Sequence, residues 1–219
     1  MKKSAKILSA VLALALAAAL SVGGTLAYLS SEEEVSNTFT VGQVHILVNE
    51  AKVGPNGKTF EGAGRVPTNR YKLIPGAVLD KDPTVTVVAG SEECYVRALV
   101  TINNKAALDD IFADVEGHAD LNKIFGGRSS DWIYKGASVE GDTITYELRY
   151  KEKVPYSSEK TVLPPLFTTV NVPGFLTNED LSRLEDFSID VVAQAIQANT
   201  FEDADAAWIA FNAQAIMAP

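Results

Sequence analysis

Thr143-Ile144-Thr145-Tyr146-Glu147-Leu148-Arg149-Tyr150 is the stretch that decides the fold class. Ile144, Tyr146, Leu148 and Tyr150 take every second position, and Thr143, Thr145, Glu147 and Arg149 take those between. A period of two puts neighbouring side chains on opposite faces of an extended chain, so the stretch predicts a strand with one apolar and one polar face. Such a strand suits an antiparallel sheet covered on one side. On this reading Leu148→Ala weakens folding strongly, while Glu147→Ala, on the opposite face, costs little.

The same pattern recurs on both sides. Upstream, Asp82-Pro83 leads into a strand at 84–88, and Cys94, Val96, Ala98, Val100 and Ile102 share one face of another. Its opposite face, with Tyr95, Arg97, Leu99 and Thr101, is mixed. Trp132-Ile133-Tyr134 predicts a short strand. In the stretch 37–48 apolar residues alternate at Phe39 and Val41, then at Val44, Ile46 and Val48, and the change of phase across Gly42 is what a bulge produces. Residues 50–70 predict a loop, with a turn at Gly54-Pro55-Asn56-Gly57. Downstream, strands are expected at 166–172 and 187–198, the second with Ile189, Val191, Ala193 and Ala195 on one face. Short helices are expected at 105–112, near 121–125, from a Thr177-Asn178-Glu179-Asp180 capping box to about 184, and at 203–211. The last aligns Ala204, Ala207, Trp208 and Phe211 on one stripe. Seven or so strands, with helices confined to the connections, make an all-β fold: an antiparallel β-sandwich with short helical insertions.

The N-terminus carries an address. Lys2, Lys3 and Lys6 precede an apolar stretch from 7 to 20, then Gly23-Gly24-Thr25-Leu26-Ala27, the layout of a secretory signal peptide over residues 1–27. A membrane anchor is the competing reading of that apolar stretch. The Gly pair ends the helix, and small Thr25 and Ala27 place the expected cleavage just before Tyr28. Residues 28–219 are then expected to form a single exported domain, in contact with the membrane only transiently. Without the first 27 residues, 16 Lys+Arg face 28 Asp+Glu, a net charge of −12. That balance argues against nucleic acid, whose affinity rests on cations at phosphates, and against an anionic membrane face. A single cysteine excludes an intrachain disulfide framework.

Gly23-Gly24-Thr25-Leu26-Ala27-Tyr28-Leu29-Ser30, followed by Asn37-Thr38-Phe39-Thr40-Val41-Gly42, resembles the N-terminal region of the TasA/camelysin family of secreted Gram-positive surface proteins. Pro75-Gly76 with Lys81-Asp82-Pro83-Thr84-Val85, Tyr95-Val96-Arg97, and 187–198 ending near Ala207-Trp208 are similar to later parts of the family pattern. The resemblance implies a jelly-roll sandwich and an ER-type signal peptidase as partner during export. It also implies a structural or accessory role in extracellular fibres of a biofilm matrix, by self-assembly or with related matrix subunits. A strand at 36–50 that left its own domain would open a sheet edge to a neighbour's equivalent strand, with Phe39, Val41, Val44, Ile46 and Val48 filling the recipient's core.

Family members are also filed as metallopeptidases. The sequence has no His-Glu-x-x-His, and His45 and His118 lie far apart, so no enzyme activity and no cofactor are expected. The densest metal-capable set is Asp114, Glu116, His118 and Asp120, with Asp109 and Asp110 nearby; a plain solvated acidic loop is the competing reading. Trp132, Tyr134, Tyr146 and Tyr150 would serve either a glycan-binding face or the core, and their strand phase favours the core. Cys94 would be either a buried thiol or an interchain bridge. The leading expectation is thus a secreted structural protein; a surface metallopeptidase of camelysin type and a monomeric glycan-binding or adhesin module are the alternatives.

Overall fold

A computed structural model describes residues 43–113 and 121–217. Their strands run β1 (Ile46–Ala51), β2 (Arg65–Val66), β3 (Val78–Asp80), β4 (Thr84–Val87), β5 (Cys94–Ile102), β6 (Phe125–Gly126), β7 (Trp132–Glu140), β8 (Thr143–Tyr150), β9 (Thr161–Val162), β10 (Thr169–Asn171) and β11 (Ile189–Gln197). Among the described residues, three helices sit in the connections, α1 (Lys105–Ile111), α2 (Leu121–Ile124) and α3 (Asn178–Arg183), and a fourth, α4 (Ala204–Met217), follows β11. The strands form three antiparallel sheets, ordered β11-β5-β8-β7, β2-β1-β4-β9 and β3-β10-β6. Their inward faces share one core, as the expected all-β sandwich requires.

The strong alternations are where the sequence places them. β5 pairs with β11 over nine positions, from Cys94↔Gln197 to Ile102↔Ile189, and with β8 from Arg97↔Arg149 to Ile102↔Ile144. Val96, Ala98, Val100 and Ile102 are buried in the core beside Tyr146 and Leu148, and Ile189, Val191, Ala193 and Ala195 pack against them. The Thr177–Asp180 capping box is formed: the Asp180 N–H donates to Thr177 Oγ1 at 3.2 Å and the Thr177 N–H to Asp180 Oδ2 at 2.9 Å. The expected turn at Gly54–Gly57 closes through a 2.9 Å bond from the Gly57 N–H to the Gly54 carbonyl. Gly57 is required there, because its φ is +71° and a Cβ would sit 2.5 Å from Leu79 Cδ2.

Several boundaries differ from the sequence reading. β7 does not stop at Tyr134 but runs to Glu140, absorbing one extra residue in a bulge between Tyr134 and Gly136. Residues 50–70 are not all loop: β1 continues to Ala51, and β2 pairs with it through Glu50↔Val66 and Ala51↔Arg65. The strand expected at 166–172 is only Thr169–Asn171; Leu166 and Phe167 are buried outside regular structure after Pro164-Pro165. α4 extends past 211 to Met217.

Arg97, on the mixed face of β5, is only 5% exposed. Trp208 and Phe211 of α4 lie over it, with its guanidinium carbon 4.4 Å and 5.1 Å from their ring centroids. Tyr95, Ala198, Ala207 and Trp208 make a second small core on this side. Glu147 therefore does not face open solvent: its carboxylate lies 3.7 Å from Arg97 Nη1 and 2.5 Å from Arg149 Nε. Glu147→Ala removes the counter-charge of a buried guanidinium, so its cost is no longer small.

Candidate functional site

Of the residues named for assembly, Val44, Ile46 and Val48 are described, while Phe39 and Val41 lie outside the described residues. Val44, Ile46 and Val48 pack against the core, and Leu47 between them is 57% exposed, so the phase read from the sequence holds. β1 pairs antiparallel with β4, Ile46↔Val87 through Asn49↔Thr84, within its own sheet. The run continues upstream as backbone bonds from the Val88 N–H to the His45 carbonyl at 2.9 Å and from the Glu92 N–H to the Gln43 carbonyl at 3.1 Å. On its other side β1 meets β2 only at Glu50 and Ala51.

A polar cluster that no sequence period announces ties down the C-terminal end of β1. Glu50 is 3% exposed and accepts from Lys81 Nζ at 2.7 Å and from the Asn69 N–H at 2.9 Å. Asn69 in turn donates to the Ala51 carbonyl at 2.8 Å. The Ala51 N–H donates to Asp82 Oδ1 at 2.6 Å, and Arg65 donates to Asp82 Oδ2 at 2.8 Å and to the Asn49 carbonyl at 2.9 Å. Burial first, then the Glu50 carboxylate, pushes the adjacent Tyr71 hydroxyl above the usual tyrosine range. Beside this cluster lies a cleft of about 330 Å³ walled by Tyr71, Leu73, Leu79, Val170, Phe187 and Ile189. Its walls come from four separate stretches of chain, so only the folded structure assembles it.

The remaining candidates separate clearly. Trp132 and Tyr146 are buried, and Trp132 meets Tyr150 edge-on at 5.5 Å, while Tyr134 is half-exposed. Three of the four aromatic residues thus serve packing, and the set offers no continuous ring platform. Asp109 is paired with Lys105, and Asp110 with Arg183 at 2.8 Å. Asp114, Glu116, His118 and Asp120 lie outside the described residues, as do Thr25, Ala27 and Tyr28 and the whole 1–27 segment. Among the described residues no group of three His, Cys, Asp or Glu side chains could hold a metal ion. His45 is hydrogen-bonded to the Gln43 side chain at 2.8 Å.

Cys94 is fully buried, and burial, then Glu93, raises its thiol to about 11. A buried thiol of that kind is inert. Native protein at pH 8 should react with a thiol reagent at least ~100-fold more slowly than protein in denaturant, followed by absorbance. Fast native labelling would mean that β5 is not buried as described.

Residues 1–55 of the 219 match the family described as camelysin metallo-endopeptidase. The match includes the blocks at 23–30 and 37–42 that carry the resemblance; the later similar blocks lie beyond it. No curated protein and no solved structure matches the chain.

Proposed function

We propose that this camelysin-type N-terminus exports a structural protein to the cell surface or biofilm matrix, where copies join through the N-terminal strand. The observation that carries the reading is the position of β1. Its core-facing residues, Val44, Ile46 and Val48, are half-buried against the sandwich core, yet between Ile46 and Asn49 only β4 pairs with it among the described residues. An equivalent strand from a neighbour would satisfy the same pockets and the same ladder. Donation from one copy to the next is a heterologous contact, and it builds an open filament. The cluster at Glu50 fixes the point up to which exchange can proceed. Export by an ER-type signal peptidase, cleaving after Ala27, supplies the free N-terminus that donation needs.

The family's printed name also fits a metallo-endopeptidase, whose candidate ligands Asp114, Glu116, His118 and Asp120 lie outside the described residues. Purified mature protein distinguishes the readings. Fibres should be visible by electron microscopy, and an excess of the free peptide 28–49 should shorten them by occupying acceptor sites. Fibres whose length ignores the peptide would refute strand donation. Casein cleavage abolished by a chelator would put the metallopeptidase first, and saturable retention of a monomer on glycan columns would put the adhesin first.

A further inference from the structure

Most sheet edges among the described residues are blunt. β2, β9, β3 and β6 have two or three residues each, too few to template another chain, and β11 lies against β1. β7 is the exception: nine residues long, bonded to β8 on one side and to no strand on the other. Every residue from Ile133 to Glu140 is exposed except half-buried Gly136. Tyr134 and Val139 point to the core side of the sheet, opposite Leu148 and Ile144, yet remain 51% and 57% exposed. The bulge before Gly136 confines regular strand geometry at this edge to the stretch 136–140.

That stretch is complementary to itself. In the register with β8, Gly136, Ser138 and Glu140 share the outer face, and Ala137 and Val139 the core face. An antiparallel pairing about a two-fold axis at Ser138 sets like face against like face: Ser138 opposite Ser138, Ala137 opposite Val139, and Gly136 opposite Glu140. Gly136, Ala137 and Ser138 leave room for a second backbone. Lys135, next to Gly136, then lies beside the partner copy's Glu140, and the symmetry makes this ion pair twice. Lys135 now has only a loose 3.8 Å contact with exposed Asp205, and the Glu140 carboxylate has no partner among the described residues.

We propose that the β7 edge pairs with the β7 edge of a second copy, through 136–140 and two Lys135–Glu140 contacts, joining two four-stranded sheets into one of eight. The occupant is a second copy because the register, the face pattern and the charges all close on themselves. The contact needs no N-terminal strand, so it stands apart from filament formation; where filaments exist, it ties them side by side. Five residues a side make a small, weak interface.

Disulfide crosslinking of mature protein, read on denaturing gels, tests this whatever the assembly state, because native Cys94 is buried. Ser138→Cys should form covalent dimers on mild oxidation. Ala137→Cys and Val139→Cys alone should crosslink at least ~10-fold more slowly, whereas a mixture of the two should form the heterodimer. On the Ser138→Cys background, Lys135→Glu should slow crosslinking roughly tenfold, and Lys135→Glu with Glu140→Lys should restore it. Equal rates at the three positions, no dimer at the highest attainable concentration, or capture of a different extended chain with no self-pairing would overturn the proposal.

Discussion

Replacing Trp208 by alanine should destabilise the protein by about 3–5 kcal/mol in a urea titration, as removal of a buried aromatic ring from a packed site does. Trp208 is 1% exposed and is the centre of the small core between α4 and the outer face of the β5 sheet, with Tyr95, Ala198 and Ala207. Its ring covers the Arg97 guanidinium at 4.4 Å. Removing it leaves a cavity and opens one face of a charge that also meets the Phe211 ring, the Glu147 carboxylate at 3.7 Å, and Gln194 and Asn212, each at 2.7 Å. Ile209, the next residue on the helix, is 71% exposed, and its alanine variant should lie within about 0.5 kcal/mol of the parent. Trp208→Phe should recover much of the loss, since it keeps a ring over Arg97 and removes an indole N–H that has no hydrogen-bond partner among the described residues. If the Trp208 and Ile209 variants were equally stable, α4 would not be docked as described.

Glu50→Ala should be comparably severe, about 3–5 kcal/mol, because it leaves a buried ammonium without its counter-charge. Lys81 and Glu50 side chains are 11% and 5% exposed, so solvent offers little replacement for the lost 2.7 Å contact. The Asn69 N–H loses its acceptor too. Lys81→Met added to Glu50→Ala should return a large part of the loss, and the double-mutant cycle reads out the coupling. Lys58–Asp80, a pair on the neighbouring surface, is the control: its exposed ammonium makes Lys58→Ala cost no more than about 1 kcal/mol. Should Glu50→Ala behave like Lys58→Ala, the end of β1 would be loosely held, and complete strand exchange would become easier than the cluster implies.

These two sites lie where the sequence is least informative. Arg97 in the mixed half of β5 and Trp208 on a helical stripe are 111 positions apart, and neither period shows that α4 lies on the sheet's outer face. The phase of 143–150 correctly sends Tyr146 and Leu148 inward, but it says only that Glu147 points the other way, not that Arg97 and Arg149 meet it there. The stretch Lys135-Gly136-Ala137-Ser138 has no apolar alternation, because the bulge shifts the phase by one residue and small side chains fill the next positions. β7 therefore looks like a three-residue strand until β8 is paired beside it. Short β2, β6 and β9 carry too few residues for any period.

By itself the sequence determined that period-two strands lie within 37–48 and 187–198 and at 94–102 and 143–150, which of their described faces enters the core, the capping box at Thr177 and the turn at Gly54. All of these are local: a strand's alternation or a cap's spacing is set by residues within a few positions of one another. Tertiary structure alone decided that Glu50 and Lys81 form a buried pair, that Arg97 lies under Trp208, and that β7 is the long open edge among the described strands. Each of these depends on which distant segments meet, and a charge becomes a buried ion pair, or a strand an edge, only once its neighbours are in place.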